Sequence, residues 1–257
     1  MSAFFNWEYV ESFFPKILSA LPITLAIVAV ATAVGMVLGL LIAFIRIEKI
    51  PVLSQISQVF VSFIRGTPIL VQLFLVYYGL PIIFTALANI EKIDYVYITY
   101  GLSTAAFFSE IFRSAISSVA TDQKEAAASV GLTRGQTYRR IILPQAVRIA
   151  IPATGTMIVS LLQDTSLAFS LGVIDVIGKV RALAALTYRS LEGYFVAAII
   201  FIVLSILLER LFTWLTKRFQ FQSKAKVQTQ GLDPEILIKN DEIFQTYTLK
   251  GEKGETY

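Results

Sequence analysis

LSALPITLAIVAVATAVGMVLGLLIAFI, residues Leu18–Ile45, carries no charged side chain, and the charge-free interval fills all 29 positions between Lys16 and Arg46. About 20 apolar helical residues cross the hydrocarbon core of a bilayer, so this segment is long enough to span. Pro22 falls in its first turn, where the missing proline N–H costs little. Gly35 and Gly39 lie one turn apart and form a small-xxx-small face suited to close helix packing. A secretory signal has an apolar stretch of roughly 7–15 residues behind a basic start. Here Glu8 and Glu11 precede the run and no small-residue cleavage site stands out, so the segment is expected to be a retained helix.

Working outward, the next charge-free interval holds 25 residues between Arg65 and Glu91 and extends upstream into residues 59–64. Three weaker apolar runs follow, Tyr95–Val119, Ile149–Val176 and Tyr194–Leu215, each with one to three charges. The pattern predicts an all-α integral membrane protein with five transmembrane helices. Five spans put the two ends of residues 1–219 on opposite sides. Eleven Lys and Arg residues, among them Arg46, Lys124, Arg134, Arg139 and Arg148, then share one side, against five on the other. Basic residues concentrate on the cytoplasmic side, which places the N-terminus outside and the C-terminus in the cytoplasm. Residues 220–257 read as a polar cytoplasmic tail. Within it Leu232–Ile243 is either a short helix, capped by Asp233 with Pro234 at its first position, or disordered.

Composition closes off other classes. Of 257 residues 56% are hydrophobic and 16% charged, and the mean hydropathy is +0.69. A soluble domain carries about 25% charged residues. With no Cys and no His, the chain lacks disulfides, thiolate nucleophiles, imidazole acid–base groups and the usual zinc and iron–sulfur ligands. The net charge of +4 follows the loop asymmetry. No basic stripe with interleaved aromatics suggests nucleic acid. Gly172…Gly178-Lys179-Val180 has the wrong spacing for a phosphate cradle and no hydroxyl after Lys.

Several polar groups lie in or beside the apolar runs. Glu110 and Arg113, three apart on one helix face, are expected to pair. An ionised side chain in a bilayer costs at least about 2.5–3.5 kcal/mol, so it faces a partner or a cavity. Asp164 has no such local partner. It is read either as a ligand for an amino group or as a helix-break residue, with Thr165 and Ser166 bonding backbone. Arg65-Gly66-Thr67-Pro68 interrupts the second run, because Pro68 removes a helical N–H and turns Thr67 out of α geometry. Thr67 and Gln72 become candidate substrate contacts. Arg65 either meets a carboxylate or snorkels to the interface.

The longest cytoplasmic connection, residues 120–148, is the most informative. Glu125–Val130 is a run of helix formers, Gly131 is placed to end it, and Thr133 with Gln136 forms a capping box. The second helix is expected to stop before Pro144. Glu125-Ala126-Ala127, Gly131 and Ile141-Ile142-Leu143-Pro144 resemble the EAA loop of ABC importer permeases. Phe63–Leu73 with Tyr77-Tyr78-Gly79-Leu80-Pro81 resembles the polar amino-acid branch of that family, as do Ala105–Arg113 and Ser160–Leu167. Gln163 stands where the family usually has Lys before Asp.

This resemblance implies a membrane-spanning permease subunit for polar amino acids in a prokaryotic plasma membrane. The loop would be a coupling helix, with Glu125, Ala126, Ala127, Ala128, Gly131 and Leu132 docking on a cytoplasmic ABC ATPase dimer that binds the ATP. No cofactor or metal is expected in this chain. The implied partners are a second copy or a homologous permease, a separate substrate-binding protein, membrane lipid and an amino acid. Asp164, Glu110, Thr67, Gln72, Gln163, Thr165, Ser166 and Arg65 are the expected pathway residues. Segment Asp164–Asp175 looks most like cystine-type members, which ranks cystine first. The competing readings are an ion-coupled secondary transporter acting alone and a membrane-embedded enzyme.

Overall fold

A computed structural model describes residues 5–219; the expected short helix at Leu232–Ile243 lies outside the described residues. Among the described residues every regular element is helical. An amphipathic helix α1 (Trp7–Leu18), not anticipated from the charge gaps, precedes α2 (Leu21–Ile47), which has Pro22 in its first turn. Asn6 caps α1 by accepting a hydrogen bond from the Glu8 N–H. Its apolar stripe, Val10, Phe13 and Ile17, packs on Val176, Val180, Val196 and Ile200.

The second apolar run is a broken pair. Helices α3 (Leu53–Gly66) and α4 (Ile69–Ile83) meet at 117° across Thr67 and Pro68. Thr67 is extended (φ −118°, ψ 140°), the geometry that a following proline imposes. Helix α5 (Lys92–Ser117) forms the centre of the molecule against α2. The small residues set this contact. A Cβ on Gly35 would lie 2.7 Å from Thr104 Cγ2, and one on Gly39 would lie 2.8 Å from Phe108 Cβ.

Helix α6 (Thr121–Ser129) leads to α7 (Arg134–Thr137), a π-helical turn (Tyr138–Ile142) and α8 (Leu143–Asp164). The expected stop before Pro144 does not occur. The helical course runs on, because Pro144 sits in the first turn of α8, and the preceding turn widens so that the Leu143 N–H reaches Tyr138 O. The run expected to extend to Val176 changes to a 3₁₀ segment at Thr165–Leu171, closed by Gly172 at φ +85°. Helices α9 (Val176–Thr187) and α10 (Ser190–Phe219) complete the fold.

Among the described residues three helical stretches, Leu21–Ile47, Arg134–Leu171 and Ser190–Phe219, are long and apolar enough to cross a membrane, and the α3–α4 pair makes up to four. Helix α5, which covers the third expected span, has the length but carries Lys92, Asp94, Glu110 and Arg113.

Candidate functional site

The expected site residues fall into separate places. The first is an ion cluster where three helix ends converge. Glu110 and Arg113 lie one turn apart on α5, Arg46 is in the last turn of α2, and Arg65 is in the last turn of α3. Arg46 Nη1 donates to Glu110 Oε1 at 2.5 Å, while Arg113 donates to Oε2 through Nη2 at 2.8 Å and Nε at 3.1 Å. Arg65 stands further off, its Nη1 4.0 Å from Oε1, and its guanidinium lies over the Phe107 ring. One carboxylate thus faces three guanidinium groups. Sequence reasoning found the Glu110–Arg113 pair and missed Arg46. The available signal was helical spacing: Gly39, Ala43 and Arg46 share the face of α2 that packs on α5. A cavity of about 350 Å³ opens beside the cluster, lined by Arg65, Glu110, Arg113 and Ser114 and by Ala150 and Ala153 of α8.

The second place is the α3–α4 break. Gln72 is buried, and its Nε2 donates to Ile64 O (2.8 Å), Thr67 O (2.9 Å) and Thr67 Oγ1 (3.1 Å). Thr67 Oγ1 in turn donates to Phe63 O at 2.9 Å. Both side chains satisfy carbonyls that the bend removes from the helical ladder. The Gln72 amide nitrogen and the Thr67 hydroxyl are thus engaged with each other and with the backbone, while Gln72 Oε1 is buried without a hydrogen-bond partner.

The third place is the end of α8. Gln163 and Asp164 are exposed, Ser166 is half-buried and Thr165 is fully buried, donating to Leu162 O at 2.7 Å. Buried Tyr100 donates its hydroxyl to Asp164 O at 2.5 Å, fixing the backbone where α8 changes to 3₁₀ geometry. No Lys or Arg among the described residues forms an ion pair with Asp164. Ala153 and Ala150 precede Asp164 by 11 and 14 residues on α8. At 1.5 Å per residue that is about 16–21 Å, more than one amino acid spans. Asp164 and Arg65 of one chain therefore belong to different sites.

The fourth place is the α6–α7 loop. Gly131 has φ +76°. The Leu132 N–H bonds Ala127 O and the Gly131 N–H bonds Ala128 O, both at 3.0 Å, which is a Schellman closure of α6. Thr133 and Gln136 make the reciprocal capping box. Ala127 is buried against the protein, Leu132 is half-buried, and Glu125, Ala126, Ala128 and Gly131 are exposed. Two contacts absent from the sequence reading fasten the loop: Arg134 Nη2 to Glu48 Oε2 at 2.6 Å, and Gln145 Nε2 to Gln123 Oε1 at 2.5 Å. Among the described residues no group of three or more His, Cys, Asp or Glu is placed to hold a metal ion.

The chain, with its turn-closed loop and its broken span, is similar in sequence and fold to known proteins. Residues 35–221 match the family of binding-protein-dependent transport system inner membrane components. The chain belongs to this family. It is a permease, a membrane-embedded transport subunit, and the family works with ATPase and substrate-binding partners. The permease is 46% identical over 202 residues to the probable amino-acid permease protein YxeN of Bacillus subtilis, covering 79% of this chain and 90% of that protein. It is 43% identical over 225 residues to the L-cystine transport system permease protein TcyL of the same organism, covering 86% and 94%. A crystal structure of an amino acid ABC transporter with histidines matches with a TM-score of 0.77 at 28% identity, covering 83% of this permease and 99% of that chain. Membership supports the ABC importer reading over a lone secondary transporter or an embedded enzyme.

Proposed function

We propose that this permease carries polar amino acids, L-cystine foremost, into the cell as one half of an ATP-driven importer. The 43% identity to the L-cystine permease protein, across 94% of its length, carries the choice of substrate. The chemistry of Asp164 agrees with it. An exposed carboxylate without an ion-pair partner, at the end of a membrane-crossing helix, is costly against lipid and favourable in a polar cavity. It suits the ammonium group of a zwitterion. The cavity is completed by a second permease copy or a homologous permease facing Asp164, with Gln163 and Ser166 beside it.

In this reading the five spans run from an external N-terminus to a cytoplasmic C-terminus, with α5 as the third. The Glu110 charge on helix α5 is compensated by the Arg46 and Arg113 side chains that pair with it. Glu125, Ala126 and Ala128 form the outward face of a thin helix that enters a groove on the ATPase, and Gly131 makes the turn that lets it project. The ATPase dimer binds and hydrolyses ATP, and a separate binding protein delivers the amino acid.

The experiment is uptake of radiolabelled L-cystine by the complete complex in proteoliposomes. Asp164→Asn removes the charge at nearly constant volume. We expect assembly and basal ATP turnover to persist while uptake falls by about tenfold or more, the loss for one charge-assisted hydrogen bond. Unchanged uptake kinetics would remove Asp164 from the site. Uptake confined to sugars or phosphate would end the amino-acid reading.

A further inference from the structure

We propose that the cavity beside Glu110 is a second substrate station, which takes the α-carboxylate of the amino acid through Arg65 after it has left Asp164. This rests on the amino-acid reading above and adds a site with the opposite chemistry. The charges favour an anion. Arg46 and Arg113 each make a hydrogen-bonded ion pair with Glu110, so its single negative charge is already outnumbered. Arg65 brings a third guanidinium that Glu110 holds only at 4.0 Å, and its side chain is 49% exposed. The four groups together carry two positive charges in excess.

Geometry makes Arg65 the available member. Arg46 is 12% exposed and committed to Oε1, and Arg113 engages Oε2 through two nitrogens. Arg65 lines the cavity with its guanidinium laid over Phe107, which orients the plane while leaving its N–H edges free to meet a carboxylate in a two-point contact. The volume of about 350 Å³ admits an amino acid. The opposite wall, Ala150 and Ala153 of α8 with Ile149, is small and apolar, and leaves room for a side chain. The cavity lies at the end of α5 that leads into α6, and Asp164 lies at the far end of α8. An amino acid moving along α8 towards the α6 end would exchange an ammonium contact for a carboxylate contact. The Arg65 site also sits beside the α3–α4 bend, where Thr67 and Gln72 hold the backbone.

The test uses the complete complex in nanodiscs of phosphatidylcholine and, separately, of phosphatidylcholine with phosphatidylglycerol. Binding is measured for two matched pairs, L-cystine with cystamine and L-arginine with agmatine, in which the second compound lacks only carboxylate. With two separate stations the wild-type complex should show two classes of amino-acid site, and Arg65→Gln should weaken one class by roughly 10–100-fold, the range for one charged hydrogen-bonded contact. It should leave the decarboxylated partner unchanged, and Arg65→Lys should recover part of the loss. Asp164→Asn should weaken both members of a pair at the other class of site. Equal weakening of both members by Arg65→Gln would mean a structural role and overturn the proposal. So would retained discrimination in Arg65→Gln, or an effect present only in phosphatidylglycerol discs, which would assign the site to a lipid phosphate. Failure of the wild-type complex to bind either amino acid would instead sink the parent reading.

Discussion

Replacing Glu110 by Gln should be the most damaging single change at the ion cluster, and the structure ranks its parts. Breaking a fully buried ion pair costs about 3–5 kcal/mol, while an exposed pair is worth about 0–1 kcal/mol. The Arg46–Glu110 contact, at 2.5 Å with side chains 12% and 19% exposed, lies near the buried limit. The Arg113 contact, with Arg113 39% exposed, is intermediate, and the 4.0 Å Arg65 contact lies at the exposed limit. Glu110→Gln also turns an N–H₂ towards guanidinium donors and leaves three cations facing one another. We expect a loss of about 3 kcal/mol, somewhat less where water enters the adjoining cavity. Arg46→Gln should cost about 2–3 kcal/mol, Arg113→Gln about 1 kcal/mol and Arg65→Gln under about 0.5 kcal/mol. The assay is thermal unfolding of the purified complex, with a double-mutant cycle. Glu110→Gln combined with Arg113→Gln should fall short of the summed losses by about 1 kcal/mol or more, because the second change removes a repelled cation. A Glu110→Gln complex as stable as wild type, or strict additivity in the cycle, would refute the reasoning.

Gly39→Leu should separate α2 from α5, since even a Cβ there stands 2.8 Å from Phe108 Cβ and 3.0 Å from Ala105 O. A loss of about 3 kcal/mol or more is expected in unfolding, and Gly79→Ala, with open space around it, should not reproduce it. Gly131→Val puts a β-branched residue at φ +76°, where strain is about 1–3 kcal/mol. Substrate-stimulated ATP turnover should fall while the membrane helices stay folded, and normal turnover would remove the turn from coupling. Lys124→Cys, with the loop in the cytoplasm, should resist an impermeant thiol reagent in intact cells and react after permeabilisation. Labelling from outside would reverse the orientation.

The sequence by itself determined the membrane class, the principal apolar helices and the turn chemistry. A charge-free run of 29 residues has few solutions other than a span, and Pro68 with Gly66 breaks a helix wherever it lies. Gly131 and the Thr133–Gln136 box are likewise short-range devices, so their effect was legible from spacing alone. Local rules failed at Pro144, which was read as a stop. A π-helical turn absorbs it, because continuing into α8 buries Ile142 and Ala146 against Ala115 and Ile116 of α5, a gain no local window contains. Only the tertiary structure decided which partners the polar groups meet. Gln72 and Thr67 read as candidate contacts in the sequence, and the 117° bend also gives their donor groups carbonyls to satisfy, leaving Gln72 Oε1 without a partner. Arg46 and Glu110 are 64 positions apart, and they meet because Gly35 and Gly39 let α2 approach α5. The length of α8 then set Asp164 well away from Arg65. Charge, helical period and turn geometry act within a few residues, whereas partner choice and separation depend on how whole helices pack.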